Sequence, residues 1–397
     1  MKKPLQEPSP ILGDMNAETF MSTFWQKKPC LFKQVLSDRV ASFPDENELA
    51  GFALEEEVES RLILGSPGIS QPSELTLSHG PFNSETLTSL PETNWTLLLQ
   101  SMDLWEPGFA DCLNWVNFIP RWRLDDIMLS IAAPGGGVGP HRDQYDVFLI
   151  QTRGKKRWQV APPSDINDFE AIADLLLVDN FQAEFDEILS AGDVLYLPPG
   201  WLHWGIAQTL TVTCSIGFRS PDIDVLLQQL IEEISTNHSF NLRYSDPWRK
   251  ASSQMGITAA DINELKQMLN TISDNETLLS DVLARQVTQT GDIEHSASEN
   301  RQLPMKTIED FQEGIRIQLI PSSRMTYYIT SSAELSVYIN GERIDLASAL
   351  IKAEMKSITQ FLDQLAGHHQ LPYKPIIKQT TPELLQFLLE NDLLYID

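Results

Sequence analysis

At 397 residues the chain is longer than most single folding units, and 42% hydrophobic with 21% charged residues excludes a disordered or fibrous protein. Fifty-five acidic against twenty-nine basic residues give a net charge of −26, which disfavours nucleic-acid binding and favours a basic partner. No apolar run is long enough to span a membrane, the start MKKPLQEPSPILGDMNAETF has no signal-peptide core, and the dispersed Cys30, Cys112 and Cys214 exclude a disulfide framework or CxxC zinc site, so a cytoplasmic protein is expected.

The first region, residues 1–222, opens with FMSTFWQKKPCLFKQVL, read as a short helix followed by a strand. From residue 125 come β-runs punctuated by Gly and Pro: DDIMLSIAA, the loop PGGGVGPH, DQYDVFLIQ, the turn TRG, and KKRWQVAPP. A polar stretch with a short helix is expected next, then FDEILSA, GDVLYLPPG, WLHWGIA and TVTCSIGFR. Short strands separated by turn signals at such intervals predict a sandwich or barrel.

The second region, 223–303, is helical. Ile223, Leu226, Leu227, Leu230, Ile231 and Ile234 follow i, i+3, i+4, i+7 spacing and form one apolar stripe, either a core face or a surface that pairs with a second copy. Two further helices are expected in TAADINELKQMLNTI, with Thr258 as N-cap, and NETLLSDVLARQV, before the linker TQTGDIEHSASENRQ. The third region, 304–397, is mixed α+β. IRIQLI, RMTYYIT and ELSVYI read as strands, Asn340-Gly341 as a tight hairpin turn resembling a wing, and two helices follow, the second with Thr381 as N-cap and Pro382 in its first turn.

The chemistry concentrates in the first region. His141 and Asp143 form a His-x-Asp pair that projects from one face of a strand. Far downstream, GDVLYLPPGWLH reads as a turn, a buried strand and a rigid bend delivering His203. In one barrel the three would make a facial two-histidine, one-carboxylate set, which suits non-haem Fe(II) and leaves sites open for a bidentate co-substrate and O₂. Either motif alone is weak, since surface His-Asp pairs are common and the second pattern marks any cupin-like barrel. Together they are specific. If the co-substrate is 2-oxoglutarate, its far carboxylate needs a cation, and Lys155, Lys156 and Arg157 stand after the TRG turn. Strand phase sets Lys156 opposite its neighbours, but the turn geometry decides which side is inward. Ser130 could donate a hydroxyl to the same carboxylate. His79, His238, His295, His368 and His369 read as solvated or structural.

GGGVGPHRDQYDVFLIQTRGKKRW followed by GDVLYLPPGWLHWG and SIGFR resembles the bacterial JmjC-type ribosomal oxygenases, and Gln-Tyr-Asp after the metal pair points to that branch. The resemblance extends over most of the chain, including FWQKKP and LDDIMLS. It implies a double-stranded β-helix of the cupin type, a helical dimerisation domain and a C-terminal winged-helix module. It further implies Fe(II) on His141, Asp143 and His203, 2-oxoglutarate on Ser130 and Lys156, and a substrate arginine of large-subunit ribosomal protein sixteen bordered by Asp126 and Tyr145. Similar ribosomal oxygenases carry arginine where this chain has Lys156, while other JmjC hydroxylases carry lysine; lysine keeps the charge but loses the bidentate fork.

Three other readings compete. A JmjC hydroxylase could act on histidine of another ribosomal protein or on a chromatin-like target. A DNA-binding regulator could use the third region with the barrel as a metal or ligand sensor, against which stand the net charge of −26 and the lack of a concentrated basic stripe in 304–397. A catalytically silent cupin is disfavoured because all three ligands are present.

Overall fold

The computed structural model describes residues 9–65, 75–165, 168–172, 175–178, 181–236, 242–250, 255–289, 315–320, 322–346, 351–367, 371–372 and 379–396. The chain divides into two compact units, Met1–Ser220 and Pro221–Asp397. The boundary expected at 303/304 lies outside the described residues, as do His238, His295, His368 and His369.

In the first unit, helix α1 (Ala17–Thr23) starts at Asn16, whose side chain accepts from Thr19 N. The strands are β1 (Cys30–Phe32), β2 (Ser60–Leu64), β3 (Thr76–His79), β4 (Trp95–Leu99), β5 (Leu124–Ala132), β6 (His141–Arg142) and β7 (Val147–Arg153). There follow β8 (Lys155–Ala161), β9 (Asp168–Ile172), β10 (Leu175–Val178), β11 (Phe185–Ser190), β12 (Val194–Leu197), β13 (Leu202–Ala207) and β14 (Thr211–Phe218). One antiparallel sheet runs β1-β12-β7-β14-β5-β4-β2-β3 and a second runs β11-β8-β13-β6, so from β5 to β8 and again from β11 to β14 consecutive strands alternate between two sheets. That is the double-stranded β-helix of a cupin.

All eight residues of β14 are buried, because it lies between β5 and β7 with both faces covered. Its Val212, Cys214 and Ile216 join a core with Phe20, Phe148 and Tyr196. Thr213 and Ser215 alternate with them and face the other way, into a cavity. Cys214 is thus a buried small apolar residue.

The polar stretch expected to hold a short helix instead forms a two-stranded ribbon of β9 and β10. Leu177 and Val178 each bury in a separate apolar cluster, with Leu98 and Leu202 respectively, and this tertiary burial overrides the local helix preference of the surrounding residues.

The second unit begins with helices α2 (Ile223–Thr236), α3 (Ala259–Ser273) and α4 (Glu276–Thr288). Asp261 accepts from the Thr258 backbone N–H at 2.7 Å, closing the α3 N-terminus. Strands β15 (Arg316–Leu319), β16 (Met325–Ile329), β17 (Leu335–Ile339) and β18 (Glu342–Asp345) follow, then helix α5 (Ile351–Ala366), β19 (Leu371–Pro372), helix α6 (Pro382–Glu390) and β20 (Leu394–Ile396). Asn340 and Gly341 have φ of 49° and 83°, as a tight hairpin requires. Helix α4 is tied to this hairpin: both Asp281 oxygens accept from Arg343 at 2.8 Å, and Arg285 donates to Gly341 O at 2.8 Å. The apolar stripe of α2 divides. Leu226, Leu230 and Ile234 are half-buried, whereas Ile223 (65% exposed), Leu227 (47%) and Ile231 (63%) are open.

Candidate active site

The barrel brings His141, Asp143 and His203 together, with one ligand atom from each within 4.8 Å of the others. The register explains why: His203 on β13 stands directly opposite His141 on β6. Gly200, with φ 77°, ends the Pro-Pro-Gly bend, and its N–H donates to Asp143 O at 2.7 Å, so the two motifs are joined through the backbone. The Gly-rich loop packs too closely for any side chain: a Cβ on Gly136 would lie 2.1 Å from Trp95 O, and one on Gly137 2.2 Å from Gly205 O.

Hydrogen bonds fix the histidine tautomers. Nδ1 of His141 lies 2.8 Å from Gly139 O, and Nδ1 of His203 lies 3.0 Å from Trp201 O. A carbonyl can only accept, so each Nδ1 carries the proton and each Nε2 offers a lone pair. His203 Nε2 lies 3.5 Å from an Asp143 oxygen. Burial, then the neighbouring His141 ring, push His203 down to about 4, so it is neutral at physiological pH. Two imidazole Nε2 atoms and one carboxylate converging on one side of a cavity fit Fe(II).

The triad lines a cavity of about 360 Å³. Of the three basic residues after the TRG turn, Lys156 alone points inward. It is 4% exposed, while Lys155 is exposed and Arg157 pairs with Asp186 on the outer face. Lys156 Nζ lies 3.4 Å from Ser130 Oγ and 3.5 Å from Thr213 Oγ1, and 4.9 Å above the Trp158 ring. Among the described residues no carboxylate pairs with it, and burial lowers it to about 8. Thr213 was not anticipated, although its alternation within TVTCSIGF puts it on the face of Ser130, its direct partner across β14 and β5. Gly205 was missed as well: a Cβ there would lie 2.8 Å from Lys156 Cε and 2.8 Å from the Trp158 ring.

Asp126 and Tyr145 both line the cavity. Asp126 Oδ2 accepts from Gln100 Nε2 at 2.6 Å and Ser101 N at 2.9 Å, and no cation pairs with the carboxylate among the described residues. Burial, then the Asp103 carboxylate, raise Asp126 to about 6. Arg61 donates to Gln100 Oε1 at 3.4 Å, which sets the amide so that its NH₂ faces Asp126. The Tyr145 ring is 41% exposed, and its hydroxyl, bonded to Asp143, is pushed up by burial and by that carboxylate. Behind it, fully buried Asp146 accepts from Tyr196 Oη at 2.5 Å, Gln26 Nε2 at 3.0 Å and Arg123 Nη2 at 3.3 Å. This anchor ties the early FWQKKP segment to the residue that follows Tyr145, because Gln26 belongs to it.

Residues 111–226 match the JmjC domain. Over 234 residues, 59% of this chain and 60% of the relative, the sequence is 41% identical to the ribosomal protein uL16 3-hydroxylase of Escherichia coli K12. Over 263 residues, 64% of this chain and 63% of the relative, it is 32% identical to a probable ribosomal oxygenase of Haemophilus influenzae. The chain thus spans somewhat under two thirds of these curated relatives. Among solved structures, YcfD, a ribosomal oxygenase from Escherichia coli in complex with cobalt and 2-oxoglutarate, matches with a TM-score of 0.74 at 28% identity, covering 97% of this chain and 99% of that one.

Proposed function

We propose that this chain is a member of the bacterial JmjC-type ribosomal oxygenases and an Fe(II)- and 2-oxoglutarate-dependent protein hydroxylase acting on an arginine side chain of ribosomal protein uL16. One observation carries the reading. The ligand cluster shares its cavity with two charges of opposite sign, buried Lys156 and half-buried Asp126, and neither has a counter-ion among the described residues. An unpaired charge held away from water is costly, so each is best explained by a ligand that completes it. A dicarboxylate co-substrate completes Lys156, and a guanidinium completes Asp126. A neutral histidine would leave Asp126 without a counter-ion.

In this reading His141, Asp143 and His203 hold the iron through two Nε2 atoms and a carboxylate. Lys156, Ser130 and Thr213 receive the far carboxylate of 2-oxoglutarate. Asp126, held by Gln100 and Ser101, pairs with the guanidinium while the Tyr145 ring packs on it. When bound, iron, 2-oxoglutarate and O₂ supply the oxidant that places one oxygen atom on a C–H bond and releases succinate and CO₂. The chain's part is to fix which carbon stands nearest the metal and to keep water out, and that positioning sets selectivity. For the second unit we propose the family's arrangement, helical pairing of two copies followed by a winged-helix module that does not bind nucleic acid. A ribosomal substrate would be met in the cytoplasm, and no helix among the described residues is long and apolar enough to cross a membrane.

The test is to incubate the protein with Fe(II), 2-oxoglutarate and unmodified uL16, then map the product by tandem mass spectrometry. One added oxygen on one arginine is expected. An oxygen on a histidine, or none on uL16, overturns the substrate assignment.

A further inference from the structure

The β9–β10 ribbon carries an apolar side chain that its own fold does not use. Leu177, 4% exposed, packs with Ile63, Leu75 and Leu98, and Val178, 1% exposed, packs with Ala161 and Leu202. Val178 N–H also donates to Pro140 O at 2.8 Å, directly before His141. These anchors hold the strand firmly at the cavity. Yet Leu176, between a bulge and these anchors, is 63% exposed and lines the same cavity as the metal ligands. A bulge is a device for re-aiming a side chain, and bulges recur beside active sites. The ladder is bulged between Leu175 and Leu176. The other open apolar group lining the cavity is the Tyr145 ring, 41% exposed.

We propose that Leu176 acts as an apolar clamp at the cavity mouth, gripping the substrate polypeptide beside the target side chain on which Tyr145 packs. The proposal rests on the protein-hydroxylase reading and adds where the rest of the substrate lies. A cavity of about 360 Å³ is near the small end of ligand sites, so a co-substrate and one long side chain fill it. The backbone carrying that side chain must then cross the mouth. An extended segment fits there, its target cation drawn to Asp126 and an apolar neighbour covering Leu176. Leu176 is already exposed on a strand that Leu177 and Val178 anchor, so such a segment buries it at little cost in ordering.

The experiment measures equilibrium binding of fluorescently labelled Escherichia coli uL16 to the full-length protein by anisotropy, without metal or co-substrate. Leu176→Ser should raise Kd about five- to tenfold, the loss expected from one partly buried leucine contact. Leu176→Lys should raise it further, by adding repulsion toward a basic partner, and Leu176→Met should restore it. Since Leu176 is exposed, circular dichroism should report an unchanged fold in all three. Binding within twofold of wild type for both Leu176→Ser and Leu176→Lys overturns the clamp while leaving the hydroxylase reading intact. Failure of the wild type itself to bind uL16 overturns the substrate assignment and the clamp with it.

Discussion

The two unpaired charges of the cavity titrate from opposite sides, which gives the site a pH window. Lys156 has its charge below about 8 and loses it as pH rises through that value. Asp126 has its charge above about 6 and loses it as pH falls through that value. The Michaelis constant for 2-oxoglutarate should therefore climb on the alkaline side and that for uL16 on the acid side. Saturating kcat should vary less, because each bound ligand pulls its partner's pKa back toward the ordinary value. Lys156→Arg should flatten the alkaline limb, since guanidinium does not titrate there. Lys156→Ala should raise the 2-oxoglutarate constant about ten- to hundredfold, the usual worth of a hydrogen bond to a charged group, and Lys155→Ala should do little. Parallel behaviour of the two alanine variants would contradict the inward placement. Asp126→Asn should depress hydroxylation of uL16 far more than uncoupled 2-oxoglutarate decarboxylation, both followed by mass spectrometry and succinate release. Equal loss of the two would mean that Asp126 serves only to tie β5 to Gln100 and Ser101.

Strands deliver these groups, and their period explains what could be read in advance. The His-x-Asp pair and the Pro-Pro-Gly bend are local patterns, so the ligand cluster was legible before any packing was known. By strand phase alone Lys156 was legible only as one of three, because its side depends on the turn at Gly154, with φ 68°, and only the family resemblance singled it out. The ribbon of β9 and β10 was not legible: Leu177 and Val178 choose strand through contacts with β2, β4 and β13, which no local window contains. Gly205 shows the same limit. In WLHWGIA it reads as a small strand residue, yet it stands two positions after His203 on the same face, where Lys156 and Trp158 occupy the space a Cβ would need. Gly205→Ala should displace both and raise the 2-oxoglutarate constant by about tenfold or more, as small misplacements do. Iron binding, read by metal titration, should persist because His203 keeps its pairing with His141. Loss of iron binding instead would mean that the strand itself had shifted.

At the scale of the whole molecule, the proposed pairing of two copies rests on the second unit. The apolar stripe of α2 serves two faces: the half-buried Leu226 and Leu230 lie on the side of Gln229 and Glu233, whose partners Gln289 and Arg285 belong to α4 and its end. The other side, Ile223, Leu227 and Ile231, is open, and so is a stripe on α3 of Ile262 (45% exposed), Leu265 (47%) and Leu269 (55%). On each helix the open apolar side chains recur at helical spacing, i, i+4, i+8 on α2 and i, i+3, i+7 on α3, which marks an interaction surface rather than scattered exposure. Under the proposed pairing of two copies these open positions, not Leu226 and Leu230, carry the contact. Leu227→Glu with Ile231→Glu should therefore convert dimer to monomer in light scattering, because charges facing their own copies across a two-fold axis repel as well as lose apolar burial. Both side chains are exposed, so the thermal unfolding midpoint of the monomer should stay close to that of the wild-type unit. Leu226→Glu should instead lower that midpoint through the lost packing beside α4. A wild type that runs as a monomer at micromolar concentration would refute the pairing, and a double variant that stays dimeric would move the interface to another face.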